Sequence, residues 1–213
     1  MNSNLKWLLL IPVLAVAIAL GYLIPTQLLS DDNGSDENSS TTRQASQALQ
    51  IEMDNVQERI DAYVRLLEQN PNDMESIKGL ADGYLELGTY QSDAGQENES
   101  FRSYKNAVDN YRKYLAVNPA DNNVRKDLGL VYSYLQMTDV ALRELRAVIA
   151  ADPTNQRAWH SLGYVLYFSS GNVAEAREAW TKSYNLSPTS DVGVESKAFL
   201  DKYNEDQLTL PQS

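Results

Sequence analysis

The sequence has no cysteine and a single histidine, and both shortages exclude classes of chemistry. Without cysteine the chain cannot form disulfides, thiolate metal sites, iron–sulfur clusters or the covalent haem attachment of a C-x-x-C-H motif. A transition-metal site would have to combine His160 with several carboxylates brought together by the fold, which is an unusual ligand set. We therefore expect no metal and no cofactor.

Catalytic motifs and an excess of positive charge are missing as well. No Ser–His–Asp arrangement, Walker-type glycine-rich loop or dinucleotide fingerprint occurs, so we expect neither an enzyme nor a small-molecule substrate. Lys and Arg number 18 against 29 Asp and Glu, which gives a net charge of −11. Because a nucleic acid partner requires cations that displace phosphate counterions, we do not expect nucleic acid as the main partner.

The N-terminus contains a long apolar run. Residues 7–24 form an uncharged stretch of 18 residues, and residues 25–29 extend it without a charge. At about 1.5 Å per residue, this stretch is just long enough to span a hydrocarbon core of roughly 30 Å. Lys6 precedes the run and Asp31 and Asp32 follow it, so the positive-inside bias places residues 1–6 in the cytoplasm. We predict a single-pass anchor at residues 7–29 in the cytoplasmic (inner) membrane, with the rest of the chain on the extracytoplasmic side.

Two other interpretations of the apolar run stay open. A cleaved secretory signal would use small residues such as Ala15, Ala17 and Ala19, although these lie within the run and not at its end. A buried helix of a soluble protein is the third interpretation. The anchor and the signal both export the remainder of the chain.

Between the apolar run and the first helical pattern lies a polar segment. Residues 30–45 are mostly Ser, Asp, Asn, Thr and Glu, with no large apolar side chain. Such a segment buries too little surface to offset the entropy lost on ordering. We predict a flexible tether at residues 30–50.

Prolines recur in similar surroundings along the rest of the chain, at Pro71, Pro119, Pro153 and Pro188. They are separated by 48, 34 and 35 residues, and a period of this size indicates stacked helical repeats. Proline ends a helix because it lacks an N–H. We predict that residues 51–190 form about three helix pairs after a leading helix. The first spacing exceeds the period by 14 residues, which we place within residues 89–103 as a loop or a lengthened helix pair.

The residues between the prolines resemble the tetratricopeptide family over roughly residues 56–203. The fullest unit contains Trp159, Leu162, Gly163, Leu166, Gly171, Ala176, Trp180 and Pro188. The unit before it contains Leu128, Gly129, Tyr132, Ala141, Leu145 and Pro153. This resemblance implies an all-α solenoid of antiparallel helix pairs, here with an N-terminal transmembrane helix. In such a unit Gly163 is small because two helices cross there, and Trp180 fills the space.

The end of the chain resembles a first repeat helix without its partner. We predict a capping helix at residues 191–204, in which Phe199, Leu200 and Tyr203 pack inward while Lys197 and Asp201 face water. Residues 205–213 would then form a tail.

In the tetratricopeptide family, set positions of each first helix line a concave groove that binds peptides. The resemblance implies a peptide-binding groove at Lys126, Leu130, Tyr134, Arg157, His160, Tyr164 and Tyr167. Aromatic rings with a few cations suit an extended or helical client peptide, because flat rings supply contact area at a low entropy cost. Phe168 falls at a further groove position, but a one-residue insertion blurs the register near Tyr167 and Phe168, so packing in the core is the alternative for both rings.

One subfamily of these repeats binds the acidic tails of chaperones through lysines and asparagines. Lys78 and Lys126 fit that pattern, but Asp82 and Asp127 stand where neutral asparagines are expected. Carboxylates at these positions repel an anionic tail, so we do not expect this kind of client.

The predicted function is that of a membrane-anchored scaffold that binds a client protein or peptide during complex assembly or maturation. The segment 59–73 is similar to bacterial cytochrome c maturation proteins that hold apocytochrome, which makes cytochrome c biogenesis one version of this role. The alternative is a self-associating envelope module, whose groove binds another copy of the same chain.

Overall fold

The computed structural model describes residues 35–203, with side chains from Ser46 onward. The predicted anchor and tail lie outside these residues, and no helix within them is both long enough and apolar enough to span a membrane. The described residues form eight α-helices: α1 Ser35–Gln69, α2 Met74–Asp93, α3 Glu97–Val117, α4 Asn122–Tyr134, α5 Thr138–Ala151, α6 Gln156–Phe168, α7 Val173–Leu186 and α8 Asp191–Lys202. This part of the chain is all-α.

Helix α1 begins inside the segment that the sequence assigns to a tether. Residues 35–50 are helical and continuous with the leading helix. The composition argument missed this because residues 35–69 contain neither glycine nor proline, so nothing interrupts a helix once one end of it is packed. The packed end carries Met53, Val56 and Ile60, which are buried against α2. The prediction of a flexible tether is therefore wrong for residues 35–50.

Each first helix begins with a polar side chain two residues after a repeat proline. Asp73 accepts a hydrogen bond from the Ser76 amide at 3.2 Å. Asp121, Asn155 and Ser190 stand in the same place before α4, α6 and α8, and each accepts from an amide in the first turn of its helix. The proline ends one helix and the cap starts the next, so a single short motif sets the repeat boundary.

The 14 additional residues lengthen the first helix pair. Helices α2 and α3 contain 20 and 21 residues, whereas α4 and α5 contain 13 and 14. A tight turn joins the two long helices, and Gly95 adopts a φ of +73° there, a left-handed conformation that glycine tolerates best. Of the two shapes that the sequence leaves open, the structure has the lengthened helix pair.

The predicted helix crossing in the last pair is present. Trp180 of α7 is fully buried against α6. A Cβ atom placed on Gly163 would lie 2.5 Å from both Cδ1 and Nε1 of Trp180, which is closer than atoms can pack. The pair before it has the same arrangement, since a Cβ on Gly129 would lie 3.0 Å from Leu145 Cγ.

The helix pairs stack so that their first helices form one row. Helix α6 contacts α4 on one side and α8 on the other, and these contacts are more extensive than those between successive second helices. The more closely packed row forms the inside of a curved solenoid. We call the exposed side of α2, α4, α6 and α8 the inner face.

We expect residues 46–213 expressed alone to be soluble, mostly helical and cooperative in unfolding, because this range contains the whole described core, from Met53 to Phe199. Circular dichroism and a thermal melt test this expectation. A fragment that stays in solution only with detergent, or one with substantial β-structure, would contradict it.

Candidate protein-binding surface

A row of aromatic rings runs across the helix pairs. The Tyr104 and Tyr134 ring centroids are 5.0 Å apart, those of Tyr134 and Tyr164 are 6.4 Å apart, and those of Tyr164 and Phe199 are 6.5 Å apart. We call these four residues the aromatic ladder. Offset and edge-on ring pairs at such distances attract one another. The ladder joins α3, α4, α6 and α8. Its two middle rings, Tyr134 and Tyr164, are partly exposed, whereas Tyr104 and Phe199 at its ends are buried.

Phe168 is an exposed ring that packs beside the aromatic ladder. It follows His160 and Tyr164 at four-residue intervals, so the three side chains share one side of α6. The Phe168 ring lies 4.6 Å from the Tyr164 ring, and the residue remains 47% exposed. A large ring held by packing but open to solvent can contact a partner. The sequence leaves Phe168 open between groove and core, because the one-residue insertion blurs its register, and the structure places it on the surface.

The structure brings together two tyrosines that the sequence assigns to the groove, Tyr134 and Tyr164, and it buries much of both. Burial is the main cause that raises the pKa of each hydroxyl, and the charge of Asp93 adds to the rise for both. Tyr134 contacts Tyr104 on one side and Tyr164 on the other, so it supports the ladder as well as lining it. Leu130, one turn earlier on α4, is half-buried.

Tyr167 lies apart from the other predicted groove residues. Its ring centroid is 4.3 Å from that of Tyr203 and 5.7 Å from that of Trp180. Tyr167 therefore packs where α6 meets α7 and the end of α8, which is the core alternative that the sequence leaves open.

Paired charges occupy the α2 and α4 part of the inner face. The ammonium of Lys78 is 2.7 Å from Asp82, whose other oxygen accepts a 2.7 Å hydrogen bond from the buried Tyr111 hydroxyl. Lys126 donates to Asp127, and its side chain is only 13% exposed. Burial raises the pKa of Asp127, while Lys126 opposes that rise. Both lysines are therefore engaged within the fold, and Lys126 is less accessible to a client than the groove prediction requires.

His160 links α6 to the capping helix. Its Nδ1 is 2.9 Å from Ser196 Oγ, and Ser196 Oγ is in turn 2.8 Å from the fully buried Ser183 hydroxyl of α7. Burial and then the charge of Lys126 lower the pKa of His160 to about 4. Glu195 lies 3.6 Å from Nε2, too far for a hydrogen bond. His160 is thus a neutral packing residue at pH 7.

Arg157 is the exposed cation of the predicted groove. It lies at the start of α6, on the surface. Its charge lowers the pKa of Glu195 against a larger rise caused by burial of that carboxyl. Arg157 and Glu195 therefore set the charge at the cap end of the inner face.

Acid should destabilise the fold through His160. The folded-state pKa of about 4 lies below the ordinary value of 6.5, so the unfolded chain binds the proton more readily between these pH values. The contribution of neutral His160 to stability is complete above pH 6.5 and is lost as the pH falls toward 4, with a slope of about 1 kcal/mol per pH unit. Denaturant unfolding at pH 7, 6 and 5 measures this loss. A His160→Gln variant should lack this part of the pH dependence, and an unchanged profile would contradict the assignment.

Metal binding finds no support in the described residues. Between Ser46 and Tyr203 no group of three or more His, Asp or Glu side chains is placed to hold an ion.

Comparison with known proteins finds the same repeat. The family model described as Tetratricopeptide repeat matches residues 126–190. A curated relative, "Small glutamine-rich tetratricopeptide repeat-containing protein 2" of Mycosarcoma maydis, is 29% identical over 98 residues. These residues cover 46% of this chain and 28% of the relative, so the match spans less than a third of that protein.

Among solved structures, similar chains include MamA and a peptide complex. MamA has a TM-score of 0.48 at 23% identity and covers 70% of this chain and 79% of its own. The first tetratricopeptide domain of Spaghetti (RPAP3), bound to an HSP90 peptide, has a TM-score of 0.45 at 18% identity, with 60% and 92% covered.

Proposed function

Since residues 126–190 are tetratricopeptide repeats, we propose that the inner face binds a segment of another protein and that the chain acts as a scaffold. The observation that carries this proposal is the half-exposed Phe168 ring, which packs against Tyr164 of the aromatic ladder. Rings that are fixed by packing lose little entropy when a partner covers them, and aromatic residues are enriched among the strongest contacts of protein interfaces.

The charge pattern favours a client with a neutral or mixed-charge segment. The two inner lysines are already paired with Asp82 and Asp127, so neither of these two cations is free to bind an acidic tail. Apolar and aromatic side chains of the client would contact Tyr164 and Phe168. Arg157 and Glu195 at the cap end would then affect the association rate and its salt dependence more than the affinity.

We further propose that residues 7–29 anchor the chain in the inner membrane and that the repeats work on the extracytoplasmic side. This part of the proposal rests on the uncharged apolar run and on the charges that flank it. A scaffold held at a membrane suits the assembly or maturation of exported proteins. The similarity of residues 59–73 to apocytochrome-holding proteins makes a cytochrome c precursor the first client to test.

Affinity capture with the full chain in detergent, followed by identification of the bound proteins, tests the scaffold role. A specific client that is lost from a Phe168→Ala variant supports the proposal. Mass measurement of the same sample tests the alternative, because a closed oligomer whose contacts need Phe168 would make self-association the function.

A further inference from the structure

The lengthened α2–α3 pair forms one side of a half-open pocket beside the end of α4. The pocket has a volume of about 410 Å³, within the roughly 300–1,000 Å³ of small-ligand sites. Its lining comes from the end of α2, the start of α3 and the end of α4, and includes Ser92, Glu97, Phe101, Tyr104, Tyr134 and Gln136. The pocket thus depends on the residues inserted into the first repeat.

Aromatic rings form one side of this pocket. Phe101 is 50% exposed, and the Tyr104 and Tyr134 rings lie next to each other with 32° between their planes. The face of an aromatic ring attracts a cation held within about 6 Å of its centroid. The Lys105 ammonium lies 6.0 Å from the Phe101 centroid, at the outer limit of such a contact, so a bound cation would use the other face of this ring or the tyrosine rings.

Negative charge accompanies the rings. Glu97 lines the pocket, and Asp93, the last residue of α2, follows the lining residue Ser92 in sequence. Burial raises the pKa of Tyr104 to about 12 and the charge of Asp93 adds to that rise, while burial also raises the pKa of Asp93 itself. Among the pocket-lining residues in the described part of the chain there is no lysine, arginine or histidine. The pocket is therefore complementary to a cation with a flat or apolar body.

We propose that this pocket binds an arginine side chain of the client segment. A guanidinium can stack on an aromatic ring and donate two parallel hydrogen bonds to a carboxylate such as Glu97, which a lysine ammonium cannot do. Tyr134 belongs both to the pocket and to the aromatic ladder, so a segment lying on α4 and α6 reaches the pocket without a break. The proposal rests on the protein-binding role of the inner face. It adds one position at which the protein selects arginine in the client sequence.

Fluorine NMR can test this pocket separately from the rest of the surface, because the chain has three phenylalanines. The full chain in detergent micelles is labelled with 4-fluorophenylalanine and titrated with N-acetyl-arginine methylamide. We expect the Phe101 resonance to shift while those of Phe168 and Phe199 stay in place. N-acetyl-citrulline methylamide is the neutral control of nearly the same shape, and we expect no shift with it.

Matched variants test the role of the carboxylate. Glu97→Gln should weaken the response of Phe101 to the arginine probe roughly two- to fivefold, as expected for a partly exposed ion pair. Glu99→Gln, two residues along and exposed, should not change the response. The proposal would be overturned if the Phe101 resonance shifted equally with the arginine and citrulline probes, or with neither.

Measuring client binding distinguishes this proposal from the function proposed above. If the probe shifts Phe101 but client affinity is the same for Glu97→Gln and the unmodified chain, the pocket does not read an arginine of the client and the proposal is wrong. If no client is captured at all while the probe still binds, the scaffold role fails and the cation pocket stands.

Discussion

Replacing Gly163 by leucine should be among the most destabilising single substitutions in this protein, at ~3 kcal/mol or more. Gly163 lies where α6 crosses α7, and even a Cβ atom would approach Trp180 to 2.5 Å. Trp180 is fully buried and stacks on Phe199, with 4.9 Å between ring centroids, so it has no space into which to move. The helices must separate, and the contacts of the cap are lost with them.

The measurement is a thermal or denaturant melt of the unmodified chain, of Gly163→Leu and of a control. Ala174→Leu is a suitable control, because residue 174 is exposed on α7 and the added atoms meet water. At about 2–4 °C per kcal/mol for a chain of this size, the Gly163→Leu variant should melt some 6–12 °C lower. Equal melting temperatures for all three proteins would mean that this crossing is wrongly placed.

The fold could be predicted well wherever a repeat residue has a single physical task. The four prolines mark the ends of helices, and the small residues Gly129 and Gly163 mark the crossings that the structure contains. Helix ends and helix crossings each involve residues of a single helix pair, so the spacing of residues along the chain is enough to predict them.

Two features depend on contacts that spacing does not show. The start of α1 at Ser35 depends on how far a helix continues beyond its packed end, and composition alone favoured a tether there. The 14 inserted residues fit a loop or longer helices equally well in sequence. Only the structure shows that they build a longer hairpin with Phe101 on its surface.

For the candidate groove, the sequence predicts which tyrosines lie side by side but not how exposed the groove residues are. Carrying family positions over from first helices located Tyr134 and Tyr164, which do lie together. It could not foresee that His160 binds Ser196 of the cap, or that Lys126 pairs with Asp127. The partner of His160 lies on another helix, and the partner of Lys126 is the oppositely charged residue next to it. These contacts determine which side chains remain free to bind a client.

Truncating Phe168 should separate binding from stability. The ring is half-exposed at the edge of the ladder, so Phe168→Ala removes contact area for a client but little of the core. An aromatic anchor commonly contributes ~2 kcal/mol or more to binding, which is about a thirtyfold change in affinity. We expect client affinity to fall by that factor while the melting temperature stays close to that of the unmodified chain.

Tyr134→Ala is the informative partner of that variant. Tyr134 lies between the Tyr104 and Tyr164 rings and packs against the core of the first two helix pairs, so its truncation should cost ~3 kcal/mol of stability as well as client affinity. Val117→Ala is the matched control, because Val117 is 61% exposed at the end of a second helix, away from the inner face. Unchanged affinity for Phe168→Ala would place the client elsewhere. Full stability of Tyr134→Ala would instead show that its ring is free for binding, since a side chain that supports the ladder cannot be removed without loosening the helices on either side.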